Sequence, residues 1–227
     1  MRAWMLEAPE HDLTDTDLVA FAAAWNARDV DLLPEGVPRW LFLQWLTEQG
    51  CLLHGSQQGG ITRFKPRTPP DRSPDEFSKR TGVYAASDGL WAMMYALRDR
   101  TKVQRILNMA LRLGTDKGWT RTQYFLSLDF LSLAPRENEI VDPRELLAPG
   151  FVYVLPAEGF EQMPPYDWPG MGWVLEPHWV NPEAVEPLWS LPVLPADFPL
   201  SVRMHDAARV DRLAAADTWG FPWLEDQ

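Results

Sequence analysis

Cys51-Leu52-Leu53-His54-Gly55-Ser56 and, further on, Gly82-Val83-Tyr84-Ala85-Ala86-Ser87-Asp88 with the run Gly89 to Leu97 decide how this chain folds. The first segment is short and apolar, and it delivers His54 directly into Gly55-Ser56, as a strand does at its end. The second has the same shape. Val83 to Ala86 reads as a strand, Ser87 or Asp88 as a cap, and a helical pattern covers about Gly89 to Arg98. The residues between, Gln57 to Arg80, are rich in Gly, Pro and charge and read as loop. Two strand ends are therefore expected to bring His54 and Tyr84 to the lip of a sheet, where loops on a rigid frame collect binding groups.

Working toward the N-terminus, Thr14 followed three residues later by Asp17 is a capping signal. Leu18, Phe21, Ala22 and Trp25 then follow at helical spacing up to about Arg28. Pro38 opens a second helix at the position proline tolerates, with Leu41, Phe42, Trp45 and Leu46 as its buried stripe and Gly50 as its C-terminal stop. Toward the C-terminus, the alternation Leu107, Met109, Leu111, Leu113 predicts a strand after about Arg105. Gly114 to Gly118 then reads as a hairpin turn and Trp119 to Leu128 as the return strand. Leu131 to Pro149 reads as loop with a helical turn near Arg144 to Leu147. Gly150 to Leu155 is a continuous apolar strand of the buried type. Glu161 to Asp197, dense in Pro, Trp and Gly, is expected to be an irregular excursion holding short strands such as Gly172 to Leu175. Leu200 to Met204 reads as a last strand and Ala207 to Ala216 as a short helix. The expected fold is one α+β domain over 1–227, with a helical part at 1–50 and the core at 51–227.

A chain of 227 residues with 46% hydrophobic content has ample length for a core. Its net charge of −11 repels a phosphate backbone and argues against a nucleic-acid partner. One cationic cluster runs against that trend, Arg63, Lys65, Arg67, Arg72, Lys79 and Arg80, all in the loop between the two motifs. It reads either as a solvated loop or as a local site for a diphosphate or an acidic partner. The single Cys51 excludes an intramolecular disulfide and reads as a buried, inert thiol, consistent with a reducing cytoplasm. No signal-like run opens the chain, and no stretch approaches the roughly 18 apolar residues of a membrane span, so no membrane is expected and a cytoplasmic location is the default. The four histidines, at 11, 54, 178 and 205, lack metal-ligand spacing. No phosphate-binding glycine loop or nucleophile elbow is present. Twelve tryptophans fill a core or line a pocket, and filling the core is the simpler reading.

The His54-Gly55-Ser56 triplet, Tyr84 on the next strand and Tyr95 eleven positions on from the following helix together resemble the ADP-ribosyltransferase superfamily, in its poly(ADP-ribose)-polymerase-like His-Tyr-Glu branch. The likeness covers about Leu52 to Leu97. It implies a split mixed β-sheet sandwich carrying N-terminal helices, with NAD as substrate and a protein or small molecule as acceptor. The activity implied is ADP-ribosyl transfer or NAD hydrolysis. By the same resemblance His54 would donate a hydrogen bond to a ribose hydroxyl, Gly55 would open its backbone to the nicotinamide carboxamide, and Ser56 would bond the adenosine ribose. Tyr84 and Tyr95 would sandwich the nicotinamide ring. The sequence departs from the pattern at Ala92, where relatives carry Ser, and at Trp91, where Lys is common. The family's catalytic Glu matches Glu176, ahead of Glu139, and His178 with Trp179 behind it is a third occupant of that place. Taken singly, His54, Tyr84 and Tyr95 also fit ordinary hydrogen-bonded or core positions. A catalytically inactive module on the same fold, holding NAD, ADP-ribose or a partner, is the alternative, and a purely structural or interaction role is the third.

Overall fold

Segments that alternate or cap cleanly in the sequence form the elements expected of them. The computed structural model of the chain describes residues 2–69, 73–129 and 142–224. In chain order come β1 (Leu6–Glu7), α1 (Asp15–Ala27), α2 (Arg39–Glu48), β2 (Leu52–Ser56), β3 (Val83–Ala86), α3 (Gly89–Ala96), β4 (Ile106–Thr115), β5 (Gly118–Trp119) and β6 (Gln123–Leu128). The second half holds β7 (Gly150–Leu155), β8 (Glu161–Gln162), β9 (Tyr166–Trp168), β10 (Gly172–Leu175), β11 (His178–Asn181), β12 (Trp189–Val193), β13 (Arg203–Met204) and α4 (Ala207–Ala216).

Thr14 and Asp17 close a reciprocal capping box on α1, and Asp88 caps α3 by accepting from the Trp91 N–H. Gly50 stops α2 at φ +83°, a left-handed conformation that glycine adopts without penalty. The buried face of α1 is Phe21 and Ala24, while Leu18, expected inside, is exposed. The helix leans on α2 through Phe21, which meets Phe42 edge-on at 5.2 Å, and Leu18 at its start falls outside that contact.

Among the described residues this is an α+β fold with four α-helices and two sheets, antiparallel except where β13 joins β6 in parallel. One sheet has the order β1-β6-β4-β10-β9, with β5 on β4 and β13 on β6. The other has the order β12-β7-β2-β3-β11-β8. Helices α2 and α3 lie within the main core, packed against Leu53, Ala86, Val152 and Val154 of the second sheet and Ala110, Tyr124, Leu126 and Leu128 of the first. Every residue of α3 is buried except Tyr95, so this short helix is the centre of the molecule. The far face of the first sheet packs Leu107, Met109, Leu111 and Phe125 under α4 and Trp4, Phe221 and Trp223. The far face of the second is covered by Phe64 and Val185, whose segments form a two-residue bridge.

Two expectations need correcting. His54 does not end its strand, because β2 runs on to Ser56 and pairs along its whole length with β7, His54 opposite Tyr153. Tyr84 stands second in β3 rather than at its end. The Pro- and Trp-rich excursion is also more ordered than its composition suggests. It supplies β8 through β12, and β11 is an interior strand of the second sheet, between β3 and the edge strand β8. Proline is accommodated there because Pro177 precedes β11 and Pro192 sits on the edge strand β12. Among the described residues no helix is long and apolar enough to cross a membrane.

Candidate functional site

The geometry of the site begins where β2 and β3 part. These strands share one registered pair, Leu53 with Ala86. Continuing the ladder would set Gly55 opposite Tyr84. Instead His54 Nδ1 reaches the Tyr84 carbonyl at 2.6 Å, and the strands diverge beyond it. A carbonyl only accepts, so Nδ1 carries the proton and Nε2 is left with its lone pair. Burial, and then the positive charges of Arg100 and Arg67, hold the His54 pKa below the usual histidine value. The imidazole is therefore neutral near pH 7, and its Nε2 accepts a hydrogen bond rather than donating one. That reverses the role the family resemblance implies for it.

Strand alternation then sorts the side chains by face. Leu53 and Ala86 face α3, whereas Leu52, Val83, Ala85 and Tyr153 face the opposite way, toward Phe64. His54 is on the Phe64 side, its ring 4.5 Å from that phenyl. Ser56 is buried, and its hydroxyl accepts from the Gln58 N–H. Gly55 faces α3, and a methyl group there would sit 1.9 Å from the Ala92 carbonyl oxygen. The missing side chain of Gly55 thus serves the approach of α3. Ala92 is itself buried in the main core.

Tyr84 points to the α3 side, opposite Val180 of β11. Its hydroxyl donates toward the carbonyls of Phe77 and Arg80, at 2.9 and 2.8 Å, tying the loop down. Its ring lies 5.0 Å from that of His178, which also meets Trp91 at 5.2 Å and Phe77 at 5.4 Å. His178 opens β11, in register with Ala86. Its Nδ1 is buried without a hydrogen-bond partner, 4.0 Å from Oε2 of Glu176. The other Glu176 oxygen accepts from the Tyr166 hydroxyl at 2.6 Å. Burial pulls the His178 pKa down to about 4, with Asp75 acting in the other direction. Tyr95 is half-exposed on α3, its ring 6.2 Å from Trp91, and both it and the Trp91 indole donate to Asn108 Oδ1.

The structure thus brings Tyr84, Glu176 and His178 into one cluster, with His54 joined to it through the Tyr84 carbonyl but facing the other side of the sheet. Tyr84 and Tyr95 do not form a two-sided clamp, since His178 and Trp91 occupy the interval between them. Glu139 and Arg72 lie outside the described residues. Of the cationic cluster, Arg63, Lys79 and Arg80 are neutralised by Glu186, Glu76 and Glu161, which favours the solvated-loop reading for those three. Cys51 is buried, and burial pushes its thiol pKa up, as an inert thiol requires. Among the described residues no group of three His, Cys, Asp or Glu is placed to hold a metal ion. Sequence reasoning missed Phe77, Asp75 and Tyr166. Phe77 and Asp75 sit in a stretch with no period, and Tyr166 in a three-residue strand too short to show one. No family model, curated protein or solved structure matches the chain.

Proposed function

We propose that this protein is an ADP-ribosyltransferase-like module that binds NAD or ADP-ribose where β2 and β3 separate. The observation that carries the reading is the arrangement of three strands remote in sequence. The His54 strand lies beside the Tyr84 strand, which lies beside the strand that Glu176 leads into. The family's three elements call for such neighbours, and this adjacency is what supports the reading. In this reading the ligand reaches through the gap between β2 and β3, so that His54 Nε2 accepts from a ribose hydroxyl on the Phe64 face while Tyr84, Trp91 and Phe77 offer an aromatic wall to a flat ring on the other. Transfer of ADP-ribose to a protein or small-molecule acceptor, or hydrolysis of NAD, is the activity that follows. In either case the bond between nicotinamide and ribose breaks through an oxocarbenium-like state, for which Glu176 is the carboxylate this reading assigns as electrostatic support.

A specific observation favours the alternative, a module that holds the nucleotide without turnover. The His178 imidazole covers the face of Tyr84 on which nicotinamide would stack. One experiment addresses both readings. ADP-ribose and NAD are titrated while tryptophan fluorescence is followed, and free nicotinamide is measured by chromatography. Saturable binding below about a millimolar, weakened tenfold or more by His54→Ala, is expected. Nicotinamide release that fails in Glu176→Gln makes it an enzyme, and binding without release makes it a holding module. Absence of binding for both ligands at several millimolar overturns the proposal.

A further inference from the structure

The pair Glu176 and His178 holds a feature that neither the scaffold nor His54 accounts for. Glu176-Pro177 is the link by which the chain leaves β10 in one sheet and enters β11 in the other, so the carboxyl group stands at the seam between the sheets. One of its oxygens is anchored by Tyr166 of β9. The other faces His178 Nδ1 at 4.0 Å, about 1 Å longer than a hydrogen bond. Native structures rarely leave a buried imidazole nitrogen unpartnered, and catalytic contacts are often long before a ligand tightens them.

We propose that Glu176 and His178 form a carboxyl–imidazole dyad that presents His178 Nε2 to a hydroxyl group of the bound ligand, with Glu176 as the positioning residue. The geometry dictates the roles. Nδ1 is sealed inside, so Nε2 is the one nitrogen a ligand can reach, and the side chain retains 13% of its exposure for that purpose. With its proton on Nδ1 and directed at Glu176, the ring offers a lone pair at Nε2. Among the described residues the groups that face it fit a neutral acceptor: Tyr84 from β3, Trp91 from α3, Phe77 and Asp75 from the preceding loop, and Tyr166 from β9 by way of Glu176. His54 has the same tautomer on the other face of the sheet, its Nδ1 proton spent on a carbonyl and its Nε2 left as the acceptor. A neutral imidazole with its lone pair outward suits a ligand that carries hydroxyl donors, as the ribose units of a dinucleotide do. That the ligand is a dinucleotide rests on the proposed function, whereas the dyad does not.

The test uses the full chain with nitrogen-15 in its four histidines, assigned with His178→Gln. At pH 7 His178 is expected as the Nδ1–H tautomer. In Glu176→Gln the population should move toward Nε2–H and the His178 pKa should fall further, and Tyr166→Phe should shift both in the same direction by less. A predominant Nε2–H tautomer in the unmodified chain overturns the dyad. So does a tautomer and pKa unmoved in both variants, each still giving a folded spectrum. ADP-ribose is then added. A displaced Nε2 resonance supports the ligand contact, whereas fluorescence-detected binding that leaves it in place removes that contact yet keeps the proposed function. If ADP-ribose does not bind at all, the proposed function fails, and the tautomer arm alone decides the dyad.

Discussion

Replacing Gly55 by Ala separates two explanations for this glycine, and the structure supplies the magnitude. An added Cβ would lie 1.9 Å from the Ala92 carbonyl oxygen, 2.7 Å from the Ala96 nitrogen and 3.0 Å from the Ala92 carbonyl carbon, all of them backbone atoms of α3. Cβ atoms essentially never approach neighbours closer than 3.0 Å. The helix must therefore retreat by about 1.1 Å, against α2 on its other side, where Gly89 already has no room: a Cβ there would meet Leu43 Cβ at 2.9 Å. Overpacking of this kind costs about 3 kcal/mol, the upper part of the usual range, because no flexible side chain can yield. For a domain of this size that corresponds to a loss of roughly 6–12 °C in Tm. Gly150→Ala, whose Cβ would meet the Ala96 carbonyl oxygen at 2.0 Å, should cost as much. The double variant should cost less than the sum, since both substitutions push the same helix in the same way. Gly59→Ala is the control. Its Cβ would meet the far edge of the Phe151 ring, which can rotate aside, so a loss under about 1 kcal/mol is expected. Urea unfolding followed by tryptophan fluorescence measures all four. If Gly55→Ala unfolds at the same urea concentration as the unmodified chain and loses only nucleotide binding, the steric account is wrong and the glycine serves the ligand.

Acidification should destabilise the fold through His178, whose pKa of about 4 lies below that of the unfolded chain. Its contribution is present above about pH 6.5 and is lost as the pH falls toward 4, by roughly 3 kcal/mol in all, and His178→Gln should flatten that part of a stability–pH curve measured by urea unfolding. Asp88→Ala should cost about 2–4 kcal/mol in the same assay. It removes the cap of α3 at Trp91 N–H and strands the buried Tyr124 hydroxyl that donates to Asp88 at 2.7 Å; a cost under 1 kcal/mol would mean that water replaces the carboxyl group.

Where local chemistry settles local structure, the sequence could be read directly. Thr14 with Asp17, Pro38, Gly50 and Asp88 bracket helices whose ends depend on a few adjacent residues. The run Gly150 to Leu155 reads as a buried strand because both of its faces are covered. What could not be read is what depends on partners distant along the chain. β11 is four residues long and follows a proline, and its place beside β3 is set by Val180 packing over Tyr84 rather than by any periodicity of its own. Leu18 matched a helical stripe and yet is exposed, since which face of α1 goes inward depends on where Phe42 stands.

The site shows the same division more sharply. His54, Tyr84 and Glu176 were legible as residue types, and two of the three are drawn together, but their orientations follow from strand parity. A residue one position along a strand faces the opposite side, so His54 and Gly55 cannot both serve the same pocket through their side-chain positions. Gly55 turns toward α3, and His54 toward Phe64. What reconnects the two faces is the 2.6 Å bond from the His54 imidazole to the Tyr84 carbonyl, which takes the place of a ladder hydrogen bond. The imidazole thus stands where β2 and β3 cease to pair through their own peptide groups. The point at which the sheet opens is thereby fixed by a residue that also offers a lone pair at the opening. A ligand bound there would touch the group that ties the two strands together, so its occupancy and the separation of β2 from β3 would be energetically coupled.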